Sequence, residues 1–138
     1  MRHAIRVAEA PKLVNTVLIR KLVDCKQITA LDGTALRELL NPLHDDGGLR
    51  LGYSLAYAVV KARNASMPHR LKTCSEVYYI MKGRGVMHIN NEAAEVGPQQ
   101  VIYIPPGARQ HLENNGKEDI EFLCLVFPSW HSEDEELT

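Results

Sequence analysis

The sequence lacks a long hydrophobic run. No apolar stretch approaches the ~20 residues that a helix needs to span a bilayer, and the stretch 17–19 is followed at once by Arg20 and Lys21. The pattern therefore predicts neither a transmembrane segment nor a secretory signal core. We expect a cytoplasmic protein with no membrane partner.

Cysteine is also scarce. The three cysteines, Cys25, Cys74 and Cys124, form no CxxC pair. An odd number without paired spacing argues against a disulfide framework and against a structural zinc cluster. It favours a reducing compartment, and it predicts that Cys74 is a small buried thiol.

A charge excess of either sign is missing. The formal net charge is −1 at pH 7, so no strong field would gather nucleic acid. The 138 residues suffice for one domain with its own core. We divide them into an N-terminal extension (1–27), a β-domain (28–130) and an acidic C-terminal tail (131–138), and we expect the tail to be solvated, as charge runs usually are.

Helical periodicity is confined to the extension. Apolar residues recur there at three- and four-residue spacing, which predicts a short amphipathic helix after Pro11. They are Leu13, Val14, Val17, Leu18 and Leu22. The segment either covers an open end of the domain or a partner subunit, or it is a loosely attached end.

From Ile28 onwards the pattern is typical of β-structure. Short apolar stretches alternate with turn signals, which predicts an all-β antiparallel sandwich or barrel. The predicted strands are 53–62, 75–81, 85–90, 92–96, 101–104, 108–114 and 120–127. Asp32-Gly33 predicts a further hairpin or strand, although Leu36–Leu40 also fits a helical turn.

The last strand, Ile120–Phe127, is apolar on both faces. Such a strand is covered on two sides, here by the N-terminal segment or by another subunit. We favour a homodimer.

Alternation along the strands predicts which side chains point inward. Glu76 shares a face with Tyr78, and Gln110 shares a face with Leu112. Because Leu112 is the large apolar residue of its strand, we expect its face to be the inner one. His111 then points outward, unless a bulge before it reverses the phase.

Two motifs carry the chemistry. In the first, His69 precedes Glu76, whose strand ends in a turn at Gly83. In the second, a strand that follows Gly97 leads to a Pro-Pro-Gly turn, and Gln110 and Asn114 come after it. These motifs resemble the two signature motifs of the cupin superfamily over about residues 53–127. The resemblance implies a double-stranded antiparallel β-helix, a jelly-roll barrel, that holds a ligand inside.

The resemblance also implies a metal site, because cupins generally bind a divalent metal through three histidines and a glutamate. Carried over by position, these ligands are His69, Leu71, Glu76 and Gln110. Leu71 has no ligand atom, and Gln110 offers a neutral amide oxygen. The remaining set, with His111 as the alternative to Gln110, resembles a weakened two-histidine-one-carboxylate face. It suits manganese or iron(II), with zinc as a further candidate. A metal-free polar pocket is the alternative, in which Glu76 accepts hydrogen bonds from Tyr57, Tyr78 or Gln110.

Three functions remain open at this point. The first is a metal-dependent enzyme on a small molecule, such as a dioxygenase, a decarboxylase or a sugar-phosphate isomerase-like protein, with Tyr57 or Tyr78 transferring a proton. The second is a metal-free binding or sensing module. The third is a non-catalytic oligomeric protein with a filled barrel. Lys72 and Arg109 flank the motifs and either meet an anionic substrate at the barrel mouth or are ordinary surface charges.

Overall fold

The computed structural model describes residues 18–46 and 48–138. Within these ranges the chain forms eleven β-strands and two single 3-10 turns, Leu22–Asp24 and Ser132–Asp134. The strands are β1 Gln27–Thr29, β2 Ala35–Leu40, β3 Ser54–Val60, β4 His69–Leu71, β5 Ser75–Lys82, β6 Gly85–Ile89, β7 Glu92–Val96, β8 Val101–Ile104, β9 Gln110–Glu113, β10 Ile120–Phe127 and β11 Glu135–Leu137. None of the helical segments described here is long and apolar enough to cross a membrane.

The strands form two antiparallel sheets. The order is β1-β2-β3-β10-β5-β8 in one sheet and β11-β4-β9-β6-β7 in the other. Consecutive strands repeatedly lie in opposite sheets, as β4 and β5 do, so the chain winds around a shared interior. The predicted jelly-roll barrel is confirmed.

Alternation places the core between the sheets. On β10, Phe122, Cys124 and Val126 are buried, while Leu123 and Leu125 lie on the outer face. On β9 the buried positions are Gln110 and Leu112, whereas His111 lies on the reverse face. The predicted inward direction of Gln110 is therefore matched by the fold.

Two glycines fix turns of the barrel. Gly83 has a φ of +86°, and a Cβ there would lie 2.4 Å from the Asp119 carbonyl oxygen, so no other residue fits without moving backbone. Gly107 has a φ of +78° in the Pro-Pro-Gly turn before β9. Both conformations are in the left-handed region that glycine adopts without strain.

The segment around Asp32-Gly33 is a hairpin. β1 pairs with β2, and Thr29 lies opposite Ala35. Leu36–Leu40 belongs to β2, so the helical alternative for these residues is wrong. The helix predicted after Pro11 falls mostly outside the described residues, and Leu22 lies in a 3-10 turn.

The acidic end of the chain is part of the barrel wall. β11 pairs with β4, with Glu135 opposite Leu71 and Leu137 opposite His69. Asp134 is 3% exposed and accepts hydrogen bonds from the backbone N–H groups of Thr73 and Cys74 at 3.0 Å each. The prediction of a solvated tail is therefore wrong for Asp134 and Glu135. Sequence alone did not reveal the backbone donors that stabilise a buried carboxylate here.

The outer face of the larger sheet remains apolar and open. Val101 and Tyr103 on the edge strand β8 are 68% and 62% exposed, and they lie opposite Tyr79 and Val77 of β5. Phe127 at the end of β10 is also exposed. This face is the one for which the sequence predicts a cover.

Candidate ligand cavity and metal centre

A cavity of about 480 Å³ lies between the sheets. This volume is within the range of about 300–1,000 Å³ that is usual for small-molecule sites. Its apolar lining comes mainly from β1, β2, β3 and β10 and from the segment after β10. These residues are Ile28, Leu31, Leu36, Ala56, Ala58, Leu71, Phe122, Val126 and Trp130. Two groups of polar side chains reach this cavity, besides Glu38 and four hydroxyl side chains, those of Thr29, Thr34, Ser54 and Ser132.

The first group, which we call the tyrosine–glutamate cluster, consists of Glu76, Tyr78, Gln110 and Cys124. The Gln110 side-chain N–H donates to Glu76 Oε1 at 2.8 Å, and the Cys124 thiol donates to Glu76 Oε2 at 2.9 Å. The Tyr78 hydroxyl donates to Gln110 Oε1 at 3.0 Å. All four residues are buried, and each polar side chain of the cluster bonds another member.

Strand register brings this cluster together. Tyr78 on β5 lies directly opposite Cys124 on β10, and Glu76 lies opposite Val126. Both Glu76 and Tyr78 point inward because they are two residues apart on one strand. Gln110 reaches them from the opposing sheet.

Burial sets the protonation of the cluster. Desolvation raises the pKa of Glu76, against the opposing effect of the hydrogen bonds from Cys124 and Gln110. Desolvation, together with the charge of Glu76, also raises the pKa values of the Tyr78 hydroxyl and the Cys124 thiol well above their ordinary ranges. Tyr78 and Cys124 therefore keep their protons at neutral pH and act as donors.

The second group, the carboxylate–histidine group, consists of Asp32, His69 and Glu135. Their candidate ligand atoms all lie within 4.8 Å of one another. His69 Nε2 is 3.6 Å from Asp32 Oδ2 and 3.9 Å from Glu135 Oε1. The His69 side chain is only 4% exposed, and those of Asp32 and Glu135 are each 7% exposed.

Each member of this group is oriented by a different part of the fold. His69 Nδ1 donates to the Met67 carbonyl at 2.8 Å, so the proton is on Nδ1 and Nε2 is the nitrogen that can offer a lone pair to a cation. Asp32 Oδ1 accepts the Thr34 backbone N–H, and Glu135 Oε2 accepts the Trp130 indole N–H. Burial raises the pKa of Glu135, while the nearby His69 lowers it.

The second oxygen of each carboxylate has no such partner. Within residues 18–46 and 48–138, no N–H or O–H donates to Asp32 Oδ2 or to Glu135 Oε1. Three lone pairs therefore converge on one place in the cavity wall. A hydrogen-bonded histidine beside carboxylates is a common arrangement in metal sites, because the second bond of the ring fixes its orientation.

Sequence reasoning missed Asp32 and Glu135. Asp32 lies in the turn of a hairpin far from the motifs, and Glu135 lies in an acidic run that resembles a solvated end. Glu135 is the direct neighbour of Leu71 across β11 and β4, so a carboxylate stands beside the position where the family places a second histidine. Only the strand pairing could reveal this.

The remaining predicted site residues lie elsewhere. Tyr57 is on the outer face of β3, where its hydroxyl bonds Glu121, and burial and this bond raise its pKa to about 12. His111 is on the outer face of β9 and stacks on His88 with ring centroids 4.1 Å apart. Burial and the nearby His88 lower the pKa of His111. Neither residue lines the cavity.

Basic side chains are likewise distant from the cavity. Among the described residues, no lysine or arginine lines it. The Arg109 guanidinium is exposed and donates to the Thr138 hydroxyl, and Lys72 is exposed. An anionic substrate would therefore meet neither residue inside the barrel.

The match to known proteins agrees with this architecture. A family model described as a cupin domain matches residues 57–126. The chain belongs to the cupin family. An uncharacterised protein of Methanocaldococcus jannaschii is 39% identical to this cupin over 106 residues, which cover 77% of this chain and 82% of that protein.

Two further similarities concern proteins with described ligands. An oxalate-binding protein of Thermotoga maritima is 35% identical over 51 residues, 37% of this chain and 42% of that protein. A structure of Streptomyces Pac13 with uridine superimposes with a TM-score of 0.70 at 20% identity, covering 90% of this chain and 92% of the other. Pac13 is described as a nucleoside dehydratase. At this identity the likeness shows the fold alone.

The metal positions that the family implies do not suit this cupin. Leu71 offers no ligand atom. Glu76 and Gln110 bond each other, and Gln110 Oε1 also accepts the Tyr78 hydroxyl. The carboxylate–histidine group fits a cation better, because two carboxylate oxygens and one imidazole nitrogen are already close together without mutual hydrogen bonds.

Proposed function

We propose that this cupin binds a small molecule inside the barrel, together with a divalent cation held by Asp32, His69 and Glu135. The cation site thus retains His69 from the predicted set and replaces Glu76 and Gln110. Two hard oxygens and one nitrogen favour manganese or iron(II), as the sequence predicted for an oxygen-rich ligand set.

The observation that carries the proposal is the convergence of three free lone pairs. Ligands bound about 2.1 Å from a common ion lie roughly 3.0–3.5 Å from one another. The two separations from His69 Nε2, 3.6 and 3.9 Å, need a contraction of a few tenths of an ångström, and all candidate ligand atoms already lie within 4.8 Å of one another. Two buried carboxylates side by side also need a nearby positive charge or a proton to be stable.

The residues of the chain define what such a site can do. A bound divalent cation would supply a Lewis acid that polarises a carbonyl or hydroxyl oxygen. The Met67 carbonyl holds His69 in the tautomer that presents Nε2. Phe122 and Trp130 supply apolar walls that exclude water, and Tyr78 retains its proton as a donor. These features are compatible with an enzyme, and the enzymatic activity itself remains a proposal.

Related proteins support a small ligand rather than a macromolecule. One relative is named for oxalate, and a protein of the same fold was obtained with uridine. Both molecules are small enough for a cavity of this size.

Metal titration tests the cation site. Chelator-treated full-length protein should bind about one equivalent of Mn²⁺ by isothermal titration calorimetry, and its melting temperature should rise with Mn²⁺ concentration, by an amount that corresponds to about 2.7 kcal/mol at one hundred times the Kd. Glu135→Gln should weaken binding at least tenfold. Glu136→Gln is the matched control, because the neighbouring Glu136 pairs with Arg70 outside the cavity. Absence of binding by the unaltered chain, or equal effects of the two variants, would contradict the proposal.

A metal-free binding module is the second candidate. It is favoured by the tyrosine–glutamate cluster, whose internal hydrogen bonds satisfy Glu76 without any ion. In that case organic ligands would raise the melting temperature and metals would not.

A homodimer and a cytoplasmic location also remain proposals. The apolar outer face with Tyr79, Val101 and Tyr103 supports a second copy as its cover, because isologous pairing of one patch is the commonest form of association. Light scattering should give twice the chain mass, and Tyr103→Lys should reduce it to one chain mass. A single chain mass for the unaltered protein would contradict this proposal. The described cysteines are all unpaired, as expected in a reducing compartment.

A further inference from the structure

The charges around the cavity restrict the ligand. Four carboxyl side chains line it, those of Asp32, Glu38, Glu76 and Glu135, and the only basic side chain in the described lining is His69. At short range inside a barrel, like charges repel strongly because water screens them poorly. A bare dianion would therefore be rejected, and the cavity suits an uncharged or cationic guest.

The hydrogen-bonding atoms restrict the ligand further. Asp32 Oδ2 and Glu135 Oε1 have no donor within the described ranges, and both side chains are more than nine-tenths buried. Both oxygens face the cavity and are accessible from it, so a guest that donates to them gains hydrogen bonds that no described group of the protein supplies. One carboxylate oxygen of Asp32 and one of Glu135 lie within 4.8 Å of each other, a spacing that two neighbouring hydroxyl groups can bridge.

The walls supply the rest of the specificity. Leu36, Phe122 and Trp130 present apolar surface, which suits a guest with one flat or apolar part. Most small-molecule sites combine such walls with a few polar groups that fix orientation.

We propose that the cavity selects an uncharged molecule with two neighbouring hydroxyl groups, which donate to Asp32 Oδ2 and Glu135 Oε1, and that it admits small dicarboxylates only when a divalent cation is bound. The proposal rests on the proposed small-molecule function of the same cavity. Nucleosides and cyclic sugars share this chemistry.

Fluorescence of the single tryptophan tests the proposal at this site, because Trp130 lines the cavity. Chelator-treated full-length protein is titrated with uridine, 2′-deoxyuridine, ribose and oxalate. We expect uridine to change the emission with at least tenfold higher affinity than 2′-deoxyuridine, which lacks the neighbouring hydroxyl pair. Ribose distinguishes a sugar preference from a need for the base. Oxalate should change the emission only after Mn²⁺ is added.

Paired variants locate the effect. Asp32→Asn and Glu135→Gln should each weaken uridine binding about tenfold, and together they should let oxalate bind without metal. Glu136→Gln, one residue along β11 and outside the cavity lining, should change the affinity for neither uridine nor oxalate.

Each contrary result has a distinct meaning. Oxalate binding to metal-free protein as tightly as uridine overturns the proposal, and so do equal affinities for uridine and 2′-deoxyuridine or no response to any uncharged probe. A separate Mn²⁺ titration keeps the cation site apart. If uridine binds and Mn²⁺ does not, the cation site and the dicarboxylate part of this proposal fail, and the hydroxyl-pair part stands. If Mn²⁺ binds and metal-free protein still binds oxalate as tightly as uridine, the cation site stands and this proposal fails.

Discussion

Two groups of polar side chains share the cavity wall, and they differ in how their hydrogen-bonding atoms are used. In the tyrosine–glutamate cluster, Glu76 accepts from Gln110 and Cys124, and Gln110 accepts from Tyr78. In the carboxylate–histidine group, Asp32 and Glu135 each direct one oxygen towards His69, and no donor among residues 18–46 and 48–138 bonds to it. The members of the tyrosine–glutamate cluster satisfy one another, whereas the carboxylate–histidine group has acceptors that face the cavity.

The difference separates the position of a residue in a motif from the availability of its hydrogen-bonding atoms. Glu76 and Gln110 stand where the family has metal ligands, yet here they connect the two sheets to each other. The free acceptors come from Asp32 and Glu135, which lie outside both motifs. A binding site is therefore better identified by unsatisfied atoms than by motif position.

Removing His69 should produce the largest effect on this comparison. His69→Ala should weaken Mn²⁺ binding by about 100-fold, or roughly 2.7 kcal/mol, because it deletes the only nitrogen ligand of the carboxylate–histidine group. Calorimetric titration measures the change. Glu76→Gln serves as the control and should leave the affinity nearly unchanged, because Glu76 bonds Gln110 and Cys124. A larger loss for Glu76→Gln than for His69→Ala would reverse the assignment of the two groups.

Removing the hydrogen bonds that hold β11, the strand of Glu135, should have the second largest effect. Asp134→Ala removes the acceptor of the Thr73 and Cys74 backbone N–H groups, and it should lower the free energy of unfolding by about 2 kcal/mol. Chemical denaturation measures the loss. The exposed neighbour Glu133 provides the control Glu133→Ala, expected to change stability by less than about 0.5 kcal/mol. Equal losses would mean that β11 does not depend on the Asp134 contacts.

Removing one hydrogen bond from the tyrosine–glutamate cluster should have a smaller effect on stability. Tyr78→Phe removes the donor to Gln110 Oε1 and should lower the free energy of unfolding by about 1 kcal/mol, with Mn²⁺ affinity unchanged. Thermal melting and metal titration on the same samples test both points. A marked loss of Mn²⁺ affinity would show that the two groups act as one site.

The smallest effect concerns pH. Burial raises the pKa of Glu76 in the folded state. The folded protein therefore binds this proton more tightly than the unfolded chain does. Stability should therefore decrease as the pH rises from the ordinary glutamate pKa towards the raised value. Glu76→Gln should make this decrease smaller and leave the part that the raised pKa of Glu135 contributes, whereas Glu92→Gln, at an exposed position, should leave it unchanged. Chemical denaturation from pH 4 to pH 8 measures the free energy of unfolding of the unaltered chain and both variants. Identical slopes against pH for all three proteins would contradict the assignment.

Local pattern was sufficient for most of the barrel. The predicted strands 92–96, 101–104 and 120–127 match β7, β8 and β10 at both ends, because alternation and turn residues act over neighbouring positions. The inward direction of Gln110 followed from Leu112 on the same face, and both are buried.

The site depended on contacts between distant segments. Nothing near Asp32 or Glu135 in the sequence indicates burial, and Tyr57 was assigned to the cavity although it faces outward.

The sequence by itself determined most of the strands, the family and the place of His69, since these depend on periodicity and on short motifs, whereas β11 lies in a run that resembles a solvated end. Only the tertiary structure decided which atoms around His69 are free. Strand pairing brings Glu135 beside Leu71, and the Asp32 carbonyl accepts the Met67 N–H, which ties the β1–β2 turn to the segment before His69. Hydrogen bonds between residues far apart in the chain determine which acceptors remain without a donor, and no local pattern records them.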